Sequence, residues 1–373
     1  MSFGGGVGAT MEFGIGCFAF EWREEKGSRS ANDWARDVTD TLSTLPNVSA
    51  IDVPGLGDTY MWRAGAPGGD LAIEGYAHPH FHSATVRFDI TIPRRHHDLV
   101  LPGMVASENY RVVIHYGPES PVAYVVPLDA VSGRGAASTG VMLVRKHLAQ
   151  HISDTSKVKF SSVGPSPFHA EFYLAAGGRL NEIFECDVVP TRGNDDIVFR
   201  YDESSFGDLV EAQTALMQEV GPELSLYYQL VRSRNARSRA AAEVARQAQT
   251  LVSLHTERGF KGRWRRLFQS GAQARQLSLA VMDAELGAAW DSEHSEKAIQ
   301  SCYKSADGYL RSYIDAVAIN SLSPLVVNAR NVVHQLESGR TKELEITLVT
   351  TATLAGAVAG GLISAVVTLM GQG

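Results

Sequence analysis

The chain has 373 residues and a net charge of −7, which is enough length for two domains with apolar cores. Its three cysteines are few and widely spaced, which argues against a disulfide framework and against a cysteine-based zinc site. The charge is uneven, because residues 230–275 contain eleven basic and two acidic residues, a net +9 that leaves −16 for the remainder. A basic segment in an otherwise acidic protein indicates an anionic partner or an acidic surface within the protein itself.

Up to about residue 203, short segments rich in Val and aromatic residues are separated by Pro and Gly, a pattern typical of strands. Several connections between them are too short for a crossover helix, so a largely antiparallel sheet is expected. We therefore predict an α+β domain over residues 1–203 with a sensing or ligand-binding role. The predicted strands are Gly14–Trp22, Ser49–Val53, Ser83–Ile92, Tyr110–Tyr116, Val122–Leu128, Val158–Val163, His169–Ala175, Ile183–Val189 and Ile197–Tyr201, with helices at Ser30–Leu45 and Thr139–Ile152.

The composition changes near residue 204, where Ala, Leu, Gln, Glu and Arg at helical spacing replace the strand pattern. Residues 204–341 are predicted to form an all-α bundle or stalk. Gly221 and Pro222 are expected to separate two of its helices, since Pro is tolerated in a first turn but not in a helix interior. The predicted helices are Phe206–Glu219, Glu223–Arg258, Ala272–Trp290, Ser295–Asn320 and Leu325–Leu336.

Residues 342–373 are predicted to be a C-terminal transmembrane anchor. Ile346–Met370 is an uncharged run of 25 residues, and a helix of that length rises about 37 Å, against about 30 Å for the hydrocarbon core. A buried core helix is the alternative, but such helices are usually shorter. Arg340 and Lys342 precede the run and no basic residue follows it, so the bulk of the chain is expected on the cytoplasmic side of a single-pass membrane protein. The Gly-rich start, Met1–Thr10, has no signal-peptide pattern.

Small residues recur at every fourth position of this apolar run and would line one face of a helix. Such faces let two backbones approach closely, which drives helix association in lipid. We therefore expect a homo-oligomer; if the small residues face lipid instead, the helix is only a tether. The predicted self-association face consists of Ala352, Gly356, Gly360, Ser364 and Thr368.

Two groups of residues are candidates for metal or ligand contacts. His78, His80 and His82 would share one face of a strand, where they could ligate zinc, although their spacing of about 6.5–7 Å favours plain solvated histidines. His169 and Glu171 follow a turn forced by glycine and proline, and a buried His–Glu pair could contact a small molecule or serve as a structural hydrogen bond. The sequence indicates no particular cofactor.

The basic segment combines arginines with aromatic residues such as Trp264 and Phe268. Arginine clusters bind phosphate groups, and interleaved aromatic residues suit a membrane interface. Anionic lipid is therefore the expected partner; nucleic acid is less favoured, and internal ion pairing is the remaining alternative. The predicted contact residues are Arg232, Arg234, Arg237, Arg239, Lys261, Arg263, Arg265 and Arg266.

Together these features predict a non-enzymatic, tail-anchored membrane effector, an arrangement that bacterial defence systems use. A sensing head and a helical stalk would drive oligomerisation of the small-residue helix and so perturb or permeate the membrane; the trigger, a small molecule or a protein, is not indicated. The first alternative is a membrane-anchored scaffold or receptor. Less favoured are a hydrolase using the histidines and a channel that resembles magnesium channels in general plan but lacks their second spanning helix and Gly-Met-Asn loop.

Overall fold

The computed structural model is a mixed α/β protein in which a sheet domain is followed by a helical region. It describes residues 10–23, 31–54, 84–97, 107–116, 119–129, 136–164, 167–191, 195–256, 260–304, 308–318 and 323–335. Among those residues, no helix combines the length and the apolar character needed to cross a membrane. The predicted anchor at 342–373 lies outside them.

Nine strands form one sheet in the order β2-β3-β4-β5-β1-β7-β9-β8, with β6 also paired to β1. All neighbours are antiparallel except β7 and β9, in agreement with the largely antiparallel sheet expected from the sequence. The strands are β1 (Thr10–Trp22), β2 (Val48–Asp52), β3 (Ala84–Thr91), β4 (Asn109–Tyr116), β5 (Pro121–Pro127), β6 (Val158–Val163), β7 (Ala170–Ala176), β8 (Phe184–Pro190) and β9 (Asp195–Tyr201).

The structure describes seven α-helices in addition to the strands, and one of these helices is a single turn. They are α1 (Ala31–Ser43), α2 (Arg94–His97), α3 (Ala136–His151), α4 (Leu209–Thr256), α5 (Phe260–Cys302), α6 (Arg311–Val317) and α7 (residues 324–335).

The central strand β1 is buried on both faces, because its side chains alternate between two apolar cores. Phe18 and Phe20 point to a core that includes residues of α1 and α3, such as Trp34. Phe13 and Ile15 point to the opposite core, which includes residues of α4. A strand with apolar residues at nearly every position is the pattern expected when helices cover both faces of a sheet.

Two compact units divide the chain. The first comprises Met1–Asn235 and Ser292–Ile319, and the second Ala236–Asp291 and Asn320–Gly373. The last strand ends near the predicted domain boundary at residue 203, but Leu216 and other residues of α4 belong to the core beneath the sheet. The compact unit around the sheet is therefore larger than its strands and includes the first part of α4.

In the second unit, segments of α4, α5 and α7 share one apolar core. Within each helix its members recur at spacings of three, four or seven residues, the period at which one face of a helix meets another. Three of its nine buried members are alanines. Its buried members are Ala241, Val244, Leu251, Ala274, Leu277, Val281, Val326, Ala329 and Val333.

The predicted break at Gly221–Pro222 is wrong, because α4 continues through Pro222. Proline deprives the carbonyl four residues earlier of its partner, here that of Gln218. Both Gln218 and Pro222 are exposed, so this carbonyl lies on the solvent side of the helix. The predicted interruption near residues 290–295 is also wrong, since α5 runs unbroken to Cys302.

Candidate ligand site at the start of helix α3

Strands β6 and β7 share one edge of β1 but do not meet. Cys17 pairs with Val163 and Phe13 with Phe172, so residues 14–16 of β1 are opposite the much longer stretch 164–171. A loop between Val163 and Ala170, which includes the turn Pro167–His169, connects the two strands. This interruption creates irregular backbone beside β1, where a binding site can form.

A strained turn ends this loop. Phe168 has φ +59°, a left-handed conformation that costs a residue with a side chain about 1–2 kcal/mol. Its ring packs against Tyr227 and Tyr313, with centroid distances of 4.4 and 4.5 Å. Burial of the Phe168 ring offsets the backbone strain and sets the point at which β7 begins.

Helix α3 begins directly against β1 on the opposite face of the sheet. Glycines make this close approach possible, since a Cβ at Gly14 would collide with the Ala137 carbonyl oxygen and a Cβ at Gly140 with the Tyr110 ring. The Arg145 guanidinium of α3 also donates a hydrogen bond to the Gly164 carbonyl oxygen in the loop. The start of α3, the loop and β1 are thus joined in one place.

Two glutamates from the sheet accept hydrogen bonds from the first turn of α3. The Ala137 amide donates to Glu12 Oε1 at 2.9 Å, and the Ser138 hydroxyl donates to Glu171 Oε1 at 2.5 Å. Amides in the first turn have no partner within their helix, and the helix dipole favours negative charge there. Glu12 therefore satisfies one of these amides, and Glu171 ties the neighbouring Ser138 hydroxyl to the sheet.

Glu171 is only 3% exposed, and its second oxygen, Oε2, is buried without a hydrogen-bond partner. Burial raises the pKa of Glu171, and the negative charges of Glu12 and Asp196 raise it further, against hydrogen bonds from Ser138 that lower it. The side chain is therefore held towards its neutral form, with one oxygen available. A ligand with a hydrogen-bond donor, especially a cationic amine, would satisfy both that oxygen and the surrounding negative potential.

No group of three or more His, Cys, Asp or Glu residues is placed to hold a metal ion in the part of the chain that the structure describes. His78, His80 and His82, the weak zinc candidates, lie outside that part. The zinc prediction for these histidines stays a prediction.

The predicted pair His169 and Glu171 is only partly described. Strand β7 begins at Ala170, one residue later than expected, and His169 belongs to the preceding turn. The argument that both side chains share one face of a strand therefore does not apply to His169, whose side chain is outside the described residues. Glu171 is buried and bonded as set out above.

Arg232, predicted to contact lipid or phosphate, lies against the sheet unit. Its Nη1 donates to Ser120 Oγ at 3.0 Å. Burial raises the pKa of the Cys17 thiol to about 12 and also raises the pKa of Glu21, and the charge of Arg232 opposes both shifts. The lipid or phosphate contact predicted for Arg232 stays a prediction.

The other predicted lipid contacts are distributed over two helices. Arg234 and Arg239 on α4 are exposed and Arg237 is half-buried. Lys261, Arg263, Arg265 and Arg266 belong to α5, but their side chains lie outside the described residues. The self-association face, Ala352, Gly356, Gly360, Ser364 and Thr368, also lies outside them.

Sequence reasoning missed Ser138, Glu12 and Asp196, which surround Glu171. Glu12 carried a signal, since a partly buried carboxylate in a largely apolar strand needs a partner. Gly14 and Gly16 carried another, because alternating glycines in a strand mark close approach by a second element. Ser138 had no local signal.

Comparison with protein-family models, with curated proteins and with solved structures found no match to this chain.

Proposed function

We propose that the protein is a tail-anchored membrane effector with a ligand-sensing sheet unit. Ligand binding would promote self-association of the helical region and of the C-terminal apolar segment, which would then perturb or permeate the bilayer, as in a bacterial defence response. The observation that carries this proposal is the uncharged run Ile346–Met370, which is long enough to span a membrane.

The buried carboxyl of Glu171 supports the sensing part of the proposal. Its Oε1 joins strand β7 to the first turn of α3 and its Oε2 is unsatisfied, so a donor group bound at Oε2 would lie where elements from distant parts of the chain meet. A ligand that binds one conformation better than another shifts the population towards it. A ligand bound at Glu171 can thus alter the packing of α3 on the sheet.

Dye release from anionic liposomes tests the effector activity. We expect the full chain to release trapped dye and a chain ending at residue 345 to release none. A Gly356→Ile and Gly360→Ile variant keeps the apolar run but prevents close packing, and should bind vesicles without releasing dye. Undiminished release without residues 346–373 contradicts the proposal.

A thermal-shift screen with small amine-bearing compounds tests the sensing site. Compounds that stabilise the native protein should lose their effect in Glu171→Gln and keep it in the exposed control Glu219→Gln. Equal shifts in the two variants would place binding elsewhere.

The second candidate is a membrane-anchored scaffold or receptor. The same apolar run favours a scaffold as much as an effector. In a scaffold the anchor only tethers the protein, whereas in an effector it also perturbs the membrane. Flotation with liposomes but no dye release at any protein concentration would favour the scaffold.

A further inference from the structure

Helix α5 carries a second apolar face within the second unit. One side of the helix packs into the shared core through residues that include Leu277 and Val281. The other side exposes Leu279, Met282 and Leu286, which are 61%, 56% and 61% exposed. We define the outer seam as Ala272, Arg275, Leu279, Met282, Leu286 and Ala289, all of which are exposed.

The outer seam has the period of a coiled coil. Its members follow one another at alternating spacings of three and four residues, which corresponds to the a and d positions of consecutive heptads. Single exposed apolar residues are normal on a protein surface, but a contiguous row of them marks an interaction site. The spacing indicates that the missing partner is another helix.

The charge along α5 indicates which helix fits. Residues 261–275 include five basic and no acidic residues, while residues 276–291 include three acidic and no basic residues. Two copies of α5 in parallel would place like charges side by side. Two antiparallel copies that overlap along the outer seam place Arg275 of each copy towards Asp283 in the acidic part of the other.

We infer that the outer seam pairs with the same seam of a second copy of this chain, in antiparallel orientation. A two-fold axis between Ala280 and Val281 opposes Leu279 of each copy to Met282 of the other, and Leu286 to the aliphatic stem of Arg275. Ala272 then faces Ala289 at both ends.

This register also accounts for the exposed charges of the seam. The Arg275 guanidinium lies within about one helical turn of Asp283 in the second copy, so each dimer has two such pairs. Within one chain these residues are two turns apart and do not neighbour each other. The pairing goes beyond the proposed function and requires neither ligand nor membrane.

Sedimentation equilibrium of the full chain in detergent tests the pairing. Leu279→Gln with Leu286→Gln removes the apolar layers from exposed positions, and the dimer dissociation constant should rise by about tenfold or more. Val252→Gln is the matched control, because Val252 is an exposed aliphatic residue of α4 in the same unit and lies outside the seam. Circular dichroism checks that each variant keeps its helices.

Every variant retains residues 346–370, so association through that segment persists in all of them. An unchanged dissociation constant in the seam variant would overturn the inference and leave the effector proposal standing. A protein that stays monomeric at every concentration would also overturn it, and would indicate that another part of the chain covers the seam.

Charge reversal tests the orientation. Arg275→Glu alone and Asp283→Arg alone should each weaken the dimer, and the double variant should restore it, because the reversed charges again oppose each other. In a parallel dimer the double variant would restore nothing. Failure of the rescue therefore overturns the antiparallel arrangement.

Discussion

The Ser138 hydroxyl donates a 2.5 Å hydrogen bond to Oε1 of Glu171 and thereby joins the first turn of α3 to strand β7. The bond connects residues 33 positions apart in the chain. It also leaves the other Glu171 oxygen buried and unpartnered. The start of α3 is thus both a structural junction and one of the places where a described polar group of the sheet unit is left unsatisfied.

Replacing Ser138 by Ala removes a donor from a buried carboxyl group. We expect the free energy of unfolding to fall by about 1–3 kcal/mol, the cost of leaving a buried polar group without its partner. Urea unfolding measures it. Ser43→Ala is the control, because exposed Ser43 bonds only a carbonyl of its own helix and should change stability by less than about 0.5 kcal/mol. Equal losses of unfolding free energy in both variants would mean that the Ser138–Glu171 hydrogen bond stabilises the protein no more than an exposed hydrogen bond does.

The raised pKa of Glu171 predicts a pH dependence that the Gln variant lacks. The folded state binds this proton more tightly than the unfolded state, whose pKa is near the ordinary 4.5. The contribution of Glu171 to stability is therefore present below pH 4.5 and is lost as pH rises through the folded pKa. The Gln side chain does not titrate, so the Glu171→Gln variant does not lose this contribution. Its stability should therefore increase relative to that of the native protein as pH rises through this range. A constant difference between pH 4 and pH 8 in urea unfolding would contradict the shift.

Gly14 is predicted to be intolerant of any side chain. A Cβ there would meet the backbone of Ala137, which cannot move without displacing α3, so Gly14→Ala should destabilise by about 1–3 kcal/mol. Gly221→Ala is the matched control within the same unit. The nearest atoms to a Cβ at Gly221 are 3.9 Å away, and alanine in a helix interior is favoured over glycine by about 0.5–1 kcal/mol. In thermal unfolding we expect Gly14→Ala to lower the melting temperature and Gly221→Ala to raise it. A change of the same sign in both variants would refute the close approach of α3 to Gly14.

His147 should make the protein sensitive to acid. Burial lowers the pKa of His147 to about 4, helped by the nearby His151 and His96, while its Nε2 lies 2.8 Å from Asn47 Nδ2. A depressed histidine pKa means that stability is present above the ordinary 6.5 and is lost as pH falls towards 4.

His147→Gln keeps an acceptor for Asn47 but cannot take up the proton. It should therefore lose less stability than the native protein between pH 7 and pH 5 in urea unfolding. His334→Gln, at an exposed position, should follow the native pH profile. If both variants follow it, His147 does not control the acid transition.

Glu223 holds the turn that leads into α6. Its carboxylate accepts hydrogen bonds from the amides of Tyr309 and Leu310 at 2.8 and 2.7 Å, beside Gly308 with φ +70°. In Glu223→Gln one of the two accepting oxygens becomes an NH2 group, which cannot accept a hydrogen bond. We therefore expect the free energy of unfolding to fall by about 2–4 kcal/mol. Glu219→Gln, one turn earlier and exposed, is the control for urea unfolding. A loss no larger than that of the control would show that α6 does not depend on this carboxylate.

Strands were predictable from the sequence because their signal is local. Val158–Val163 has the predicted bounds, and most other strands differ by one or two residues from prediction, since alternation of apolar residues and Gly or Pro at the ends depend only on near neighbours. Helix interruptions were not predictable in the same way. Pro222 is tolerated because it lies on the exposed side of α4, and exposure is a property of packing.

The mixed sheet and helix composition, the uncharged run at Ile346–Met370 and the unequal charge of α5 can all be read from residue type and spacing. The residues that surround Glu171 and the exposed face of α5 follow only from the packing of the folded chain. Glu12, Ser138 and Glu171 come from three separate elements, and their meeting depends on strand order and on the glycines that let α3 approach β1. Burial and pairing arise between distant segments, and local patterns do not encode them.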